Sequence, residues 1–273
     1  MLQPFHRCVC SLFIQSIFPF AKAGTEAFHV KKKPLFEALF SLYNKRLLSK
    51  HFHTIKVKND WVPSSHKRGV LFYINHSSWW DSLVLFQLNR YLLKQDGYAL
   101  MSEDGLKKFP FFMKLGAFPV NSSSYTSVLR SLTRASSLLD EGKALFVFPQ
   151  GEERHVDERP FTFQHGTSYL IQKARNCEVV PITFYHTLFH EQHPEFFIHI
   201  GKSVSIGDDK NRQAATRQLE EAMTIQLDAV KRQVVNGKTE HFDVFVDGSI
   251  TIGEKWYHRF KKKAVCLTGR EEN

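Results

Sequence analysis

Two short apolar runs stand out in the hydrophobic pattern of the chain. Val70–Ile74 and Lys143–Phe148 are made almost wholly of β-branched, aromatic and long aliphatic residues. Such uninterrupted runs are typical of strands buried on both faces of a sheet. Each run stops in a polar, turn-prone segment, 75–78 and 149–154 respectively. Because open α/β sheets bind their ligands beyond the carboxyl ends of the strands, these two segments indicate where a functional site lies.

Other strands and helices alternate around these two runs. The remaining predicted strands are 55–62, Tyr98–Met101, Leu115–Val120, Val179–Tyr185 and Phe196–Val204. The predicted helices are Leu83–Leu93, Tyr125–Leu139 after the capping residues Ser122–Ser124, and Asn211–Val235. This alternation predicts the α/β class, with a mostly parallel central sheet flanked by helices.

The two ends of the chain have a different pattern. Residues 1–54 alternate apolar clusters with cations, and Leu35–Leu47 has the spacing of an amphipathic helix that either lies on a membrane or packs on the domain. We therefore divide the chain into N-terminal amphipathic helices (1–54), an α/β domain (55–210) and a C-terminal helix with a basic tail (211–273). Within the tail, Lys255–Lys263 interleaves aromatic residues with cations, as in an interfacial anchor or a solvated basic segment.

The net charge of the chain limits the kinds of binding partner that we expect. With 37 Lys and Arg against 27 Asp and Glu, the formal net charge is +10. A surface of this charge attracts polyanions. The alternative is a soluble basic protein that has no polyanionic partner. No nucleic-acid-binding motif is present, which favours an anionic membrane surface over nucleic acid. No apolar run reaches the roughly 18 residues of a membrane span. We therefore expect peripheral attachment on the cytoplasmic side of a membrane.

The cysteine pattern predicts the redox state of the compartment and argues against a zinc site. The four cysteines contain no CxxC pair and form no regular framework, so we predict a reducing compartment and no zinc site.

The first polar segment contains a histidine and an acid, His76 and Asp81, five positions apart. Five residues along a helix turn the chain by about 140° beyond a full turn, so the two side chains meet only if His76 precedes the helix and Asp81 lies in its first turn. The carboxylate then orients the imidazole, whose other nitrogen acts as a general base. A solvated histidine beside an acid at a helix N-terminus is the alternative interpretation.

Four blocks along the chain carry a resemblance to a known family. They are Asn75-His76 with Asp81, then Gly116, Phe118 and Val120, then Phe148-Pro149-Gln150-Gly151, and finally Val180-Pro181-Ile182. In this order they resemble the motifs of the PlsC-type glycerolipid and lysophospholipid acyltransferases.

The resemblance implies an O-acyltransferase of phospholipid biosynthesis. A fatty acyl group would pass from acyl-CoA or acyl carrier protein to a hydroxyl of a lysophospholipid or glycerolipid-like acceptor, as in a 1-acylglycerol-3-phosphate acyltransferase. His76 would be the general base and Asp81 its orienting acid, with no cofactor or metal. The residues expected at the substrate are Asn75, Phe148, Pro149, Gln150, Gly151, Arg154 and Arg159.

Three positions depart from the family pattern. Ser122 and Glu153 stand where the family usually has an arginine, and Gln150 stands where it has a glutamate. Losing two guanidinium groups and gaining a carboxylate weakens the binding of a phosphomonoester. A glycolipid or carotenoid-type acceptor is therefore an alternative.

Two rival functions remain open from the sequence. One is a metal-dependent hydrolase that uses His76, Asp81 and further histidines such as His155 and His165. The other is a catalytically silent lipid-binding protein of the membrane surface that retains the fold.

Overall fold

The computed structural model describes residues 32–64, 68–174, 177–207 and 211–248. Its strands are β1 (Thr54–Asn59), β2 (Gly69–Ile74), β3 (Gly97–Ser102), β4 (Ala117–Val120), β5 (Ala144–Val147), β6 (Cys177–Thr187), β7 (Glu195–Ile200) and β8 (Asp243–Asp247). Its α-helices are α1 (Pro34–His51), α2 (Asp81–Leu88), α3 (Glu103–Lys108), α4 (Tyr125–Asp140), α5 (Gly166–Lys173) and α6 (Arg212–Val235). A π-helical turn, Asn89–Leu93, extends α2, and a 3₁₀ segment, Pro110–Leu115, precedes β4.

The strands form one sheet in the order β4-β3-β5-β2-β6-β7-β1-β8. All neighbouring pairs are parallel except β6 with β7 and β1 with β8. The predicted α/β class with a mostly parallel sheet is therefore confirmed. Both apolar runs noted above, β2 and β5, are fully buried and pair with each other at the centre of the sheet. Their carboxyl ends consequently lie side by side.

Two hydrophobic layers cover the two faces of the sheet. On the first face, α1, α2 and the 3₁₀ segment pack against residues such as Phe72 and Phe146. On the second face, α4, α5 and α6 pack against residues such as Leu71 and Val147. Neighbouring residues of a strand point to opposite faces, so β2 and β5 contribute to both layers. The central strand ends are thus held rigidly from both sides.

Helix α1 packs on the domain and leaves a row of leucines exposed. Its buried side, with Phe40 and Leu48, packs into the first-face core. Leu35, Leu39 and Leu42, at positions i, i+4 and i+7, are 75%, 57% and 54% exposed. We call these three residues the α1 leucine stripe. No helix among the described residues is long and apolar enough to cross a membrane.

The C-terminal part of the described chain adds a strand that the sequence pattern did not predict. Strand β8 pairs antiparallel with β1 at the edge of the sheet, whereas the sequence pattern predicts Phe196–Val204 as the last strand. Helix α6 begins as predicted, with the Asn211 side chain accepting the N–H groups of Gln213 and Ala214. The predicted helices before residue 32 and the basic-aromatic segment Lys255–Lys263 lie outside the described residues.

Candidate active site

Asn75 fixes the point at which the chain leaves the central strand. Its side-chain amide donates to the backbone C=O of Phe184 in β6 at 2.9 Å, and its Oδ1 accepts the Phe184 N–H at 2.7 Å. The residue is 1% exposed. Because both polar ends of the side chain are bound to the backbone of one β6 residue, β2 and β6 are tied together just before His76. Asn75 thereby holds the turn in which the imidazole stands.

His76 and Asp81 meet as the five-residue spacing predicted. Nδ1 of His76 lies 2.9 Å from Oδ2 of Asp81, which is fully buried as the first residue of α2. The same oxygen accepts the backbone N–H groups of Ser77 at 2.7 Å and Ser78 at 2.9 Å. Because Oδ2 is an acceptor, the proton of a neutral His76 ring lies on Nδ1, and Nε2 keeps a free lone pair. The arrangement is that of a base with an orienting carboxylate.

The second polar segment holds the backbone and ring of His76. Oε1 of Gln150 accepts the His76 N–H at 2.6 Å, and the N–H of Arg154 donates to the His76 C=O at 2.9 Å. The ring of Phe148 stacks on the imidazole, with centroids 4.4 Å apart. The two loops that follow β2 and β5 are therefore one structural unit, and His76 is its centre.

A carboxylate faces the free side of the imidazole. Oε1 of Glu153 lies 3.9 Å from Nε2 of His76, and its side chain is 53% exposed. This separation is too long for a hydrogen bond. A hydroxyl group that donates to Nε2 would therefore also lie close to a negative charge.

The two arginines of the same loop are engaged elsewhere. The guanidinium of Arg154 pairs with Glu152 and, at 3.0 Å, with Glu158. That of Arg159 pairs with Asp228 of α6 at 2.5 Å and lies over the ring of Phe161. Neither arginine belongs to the lining of the cavity beside His76.

This cavity has a volume of about 1020 Å³ and opens along the carboxyl edge of the sheet. It has two branches, which follow opposite faces of the sheet. The apolar branch, on the first face, is lined by residues that include Leu85, Phe86, Ala99, Phe109, Phe112 and Phe146. The second branch, on the second face, is lined by apolar residues that include Val128, Leu132, Val147 and Leu170 and by polar residues that include Tyr125, Gln164, His165, Thr167, Tyr169 and Arg212. We call it the polar branch after the latter group. His76 lies between the two branches.

The residues predicted at the site occupy three kinds of position. The cavity lining contains His76, Phe148, Pro149, Gln150 and Gly151. Asp81 and Asn75 lie behind the imidazole, and Arg154 and Arg159 lie outside the lining. The Gly151 N–H donates to the Phe148 C=O at 3.1 Å, so this N–H is not available to a substrate oxygen. Gly151 has φ +79°, a left-handed conformation that suits glycine in this turn.

Ser77, Ser78 and Gln164 had no role in the sequence-based interpretation, and His165 had one only in the rival hydrolase. The Ser77 and Ser78 amides bind Asp81 through the backbone, which a side-chain motif does not show. Gln164 and His165 reach the cavity because the chain folds back after β5, where the Gln164 N–H donates to the Pro149 C=O at 2.7 Å. No periodic pattern in the sequence places these two residues there.

Another histidine lies near the buried carboxylate. Burial lowers the pKa of His186, against an opposing contribution from Asp81. His186 therefore favours its neutral form and adds no positive charge beside Asp81. Among the described residues, no three His, Cys, Asp or Glu side chains converge in a manner suited to a metal ion.

Comparisons with known proteins match the chain to an acyltransferase family model and to a solved structure of similar fold. The family model described as Acyltransferase matches residues 54–185. The crystal structure of the 1-acyl-sn-glycerophosphate (LPA) acyltransferase PlsC from Thermotoga maritima superimposes with a TM-score of 0.50 at 17% identity, over 71% of this chain and 80% of that one. A comparison with curated proteins finds no match. The match to the family model identifies residues 54–185 as an acyltransferase domain, and all four blocks lie within this range.

Proposed function

We propose that this acyltransferase moves a fatty acyl group from a thioester donor, acyl-CoA or acyl-ACP, to a hydroxyl of a lysophospholipid or glycerolipid-like acceptor. The observation that supports it best is the His76–Asp81 pair, with Nδ1 on a buried carboxylate and Nε2 facing a large cavity. The PlsC enzyme with the similar fold is named for an acceptor of this class.

The reaction needs a base because an alcohol is almost fully protonated at neutral pH. Nε2 of His76 takes the hydroxyl proton as the oxygen attacks the thioester carbonyl, and Asp81 stabilises the imidazolium that forms. The tetrahedral intermediate then collapses and its carbon–sulfur bond breaks. The departing thiolate takes the proton from Nε2, so an ester and a free thiol leave and His76 is regenerated. No covalent bond to the protein forms.

The apolar branch suits the acyl chain of the donor. Its wall of aromatic and aliphatic side chains, among them Phe86, Phe109 and Phe112, continues the first-face core. Burial of methylene groups there contributes roughly 0.8 kcal/mol each. An acyl chain in this branch brings its thioester to the strand ends where His76 stands.

We also propose that the protein attaches to an anionic membrane surface from one side. The α1 leucine stripe is exposed, and Lys45, Arg46 and Lys50 on the same helix are cations. Apolar side chains beside cations are the combination by which interfacial helices bind anionic lipid. Attachment of this kind would place the cavity close to a lipid acceptor.

The test is the appearance of an ester product with the purified chain. Palmitoyl-CoA and palmitoyl-ACP are offered separately with lysophospholipid or monoacylglycerol, and the ester is identified by mass spectrometry. We expect ester and free thiol in equal amounts, unchanged by a chelator. Free thiol and fatty acid without ester would instead support a hydrolase, and loss of activity with the chelator would support a metal-dependent one.

A further inference from the structure

The polar branch of the cavity determines which headgroup the acyl acceptor can have. We propose that this branch binds a neutral headgroup with several hydroxyl groups, such as a glycerol or a sugar, and that Glu153 excludes a phosphomonoester from it. The inference rests on the proposed acyl transfer and specifies its acceptor.

The position of the acceptor follows from the two branches. If the acyl chain of the donor fills the apolar branch, the reacting carbonyl lies next to His76 at the carboxyl edge. The acceptor hydroxyl must then approach Nε2 from the remaining free side. That side contains Glu153, 3.9 Å from Nε2, and continues into the polar branch. The headgroup that carries the hydroxyl therefore lies against Glu153 and the residues beyond it.

The lining around the turn that carries Glu153 contains side chains that form hydrogen bonds with hydroxyl groups. The side chain of Gln164 covers Gly151, its Cγ 3.4 Å from the position that a Cβ on Gly151 would take. His165 and Tyr169 continue the lining beyond it. An amide, an imidazole and a phenol next to a carboxylate bind hydroxyl groups, and the aromatic rings provide flat apolar contacts.

His165 adds an imidazole to the lining. Its Nδ1 lies 3.0 Å from Oγ1 of Thr216, whose hydroxyl donates to the C=O of Arg212 at 2.8 Å. Thr216 thus engages Nδ1 of His165, and Nε2 is left for a group that either donates to it or accepts from it. Glu153 is an acceptor. A hydroxyl group can donate to Glu153 and can pair with either tautomer of His165, whereas a fully ionised phosphate has only acceptors.

The two cations of the described lining, Arg212 and Lys108, each lie against an aromatic ring of the protein. Arg212 lies over the Tyr169 ring at 5.0 Å, and its Nε donates to Gln172 at 3.2 Å. Lys108 lies at the end of α3, over the ring of Phe109 in the apolar branch. A phosphomonoester carries about −1.5 to −2 charges at neutral pH. Next to Glu153 it would meet a like charge, which opposes binding.

The experiment compares two acceptors that differ only in the phosphate. Acyl transfer from palmitoyl-CoA is measured with 1-oleoylglycerol and with 1-oleoylglycerol 3-phosphate, each in the same neutral phosphatidylcholine vesicles, and dodecyl glucoside is a third acceptor. The variants are Glu153→Gln and Glu153→Arg. Glu158→Gln is the matched control, because Glu158 lies on the same loop outside the lining, is similarly exposed and changes the net charge equally.

We expect the wild type to prefer 1-oleoylglycerol over its phosphate in kcat/KM by about tenfold or more, the effect of roughly 1.4 kcal/mol of repulsion. We also expect transfer to dodecyl glucoside. Glu153→Gln should lower the preference several-fold, Glu153→Arg should lower it further, and Glu158→Gln should leave it unchanged. The inference would be overturned if the wild type preferred the phosphate acceptor, or if Glu153→Gln had the same acceptor preference as the wild type. So would a loss confined to the phosphate acceptor in Arg212→Gln.

These outcomes are separable from failure of the proposed function. Transfer to either acceptor that is abolished by His76→Ala supports acyl transfer, whatever the preference. If neither acceptor nor the glucoside receives an acyl group, both the proposed function and this inference are wrong.

Discussion

Oε1 of Gln150 accepts the backbone N–H of His76 at 2.6 Å, and this bond joins the loops that follow the two central strands. The pair lies 74 positions apart in sequence. Gln150 is 6% exposed, so water does not replace the bond if the acceptor is removed. Gln150 is therefore a positioning residue for the imidazole.

Replacing Gln150 should lower catalysis through the placement of His76. Gln150→Met keeps the volume but leaves the His76 N–H without an acceptor, at a cost of about 1–3 kcal/mol in stability. We expect a lower kcat with little change in the KM for the donor. Gln150→Glu restores an acceptor and should recover most of the rate. Unaltered kcat in Gln150→Met would remove the positioning role.

Asp81→Asn should reduce kcat by about 10²- to 10⁴-fold while the protein stays folded. The asparagine amide has no negative charge, so it binds the N–H groups of His76, Ser77 and Ser78 more weakly than the carboxylate does. The His76 tautomer with its proton on Nδ1 is then no longer favoured. The chain contains a matched control, because Nε2 of His199 and Oδ2 of Asp60 form a similar pair at 2.8 Å away from the cavity lining. Asp60→Asn should leave kcat nearly unchanged. Equal losses in both variants would indicate a general effect on folding.

Asn75→Ala should destabilise the fold. It removes two buried hydrogen bonds to Phe184 and leaves both partners unsatisfied, which costs about 2–4 kcal/mol in total. Urea unfolding measures this loss directly. A change below about 0.5 kcal/mol would mean that β2 and β6 are held together at this point by packing alone.

Vesicle binding tests the α1 leucine stripe. The triple variant Leu35→Gln, Leu39→Gln and Leu42→Gln should bind anionic vesicles several-fold more weakly, because less apolar surface is buried in the interface. Ile225→Gln on α6 is the control, since Ile225 is 62% exposed. Binding of wild type should also weaken with added salt. Equal effects of the α1 and α6 variants would place the contact elsewhere.

Asp96 provides a test of pH dependence. Burial raises its pKa, but hydrogen bonds from Lys143 and Lys32 outweigh this effect, so the pKa is lowered from 3.8. A lowered folded-state pKa stabilises the fold above the unfolded value, and this contribution is lost as the pH falls through the folded-state pKa. Asp96→Asn should therefore be less stable than wild type at neutral pH, by about 1 kcal/mol or less for these half-exposed pairs. Unfolding titrations towards about pH 2.5 should show the difference shrinking; a constant difference would contradict the ion-pair explanation.

The sequence predicted most of the fold because its signals are local. The buried runs of β2 and β5, the Ser124 cap of α4 and the Asn211 cap of α6 all depend on neighbouring residues. Strand β8 was missed because its short DVFVD pattern becomes a strand only by pairing with β1, far away in sequence.

The candidate site was predictable where its geometry follows from spacing along one segment. His76 and Asp81 are close in sequence, so helix geometry alone brought them together. The approach of Glu153 to Nε2 and the pairing of Arg159 with Asp228 depend on how loops and α6 pack. The division of the cavity into an apolar and a polar branch depends on elements that pack on both faces of the sheet. It cannot be predicted from any one segment of the sequence.

The central claim is that His76 removes the proton of the acceptor hydroxyl, and the direct measurement is the rate of ester formation by His76→Ala. His241→Ala is the control, because His241 is exposed and outside the cavity lining. With palmitoyl-CoA and 1-oleoylglycerol, we predict that His76→Ala loses about 10²- to 10⁴-fold in kcat and that His241→Ala keeps the wild-type rate, both variants remaining folded by circular dichroism. Ester formation by folded His76→Ala at close to the wild-type rate would contradict the account.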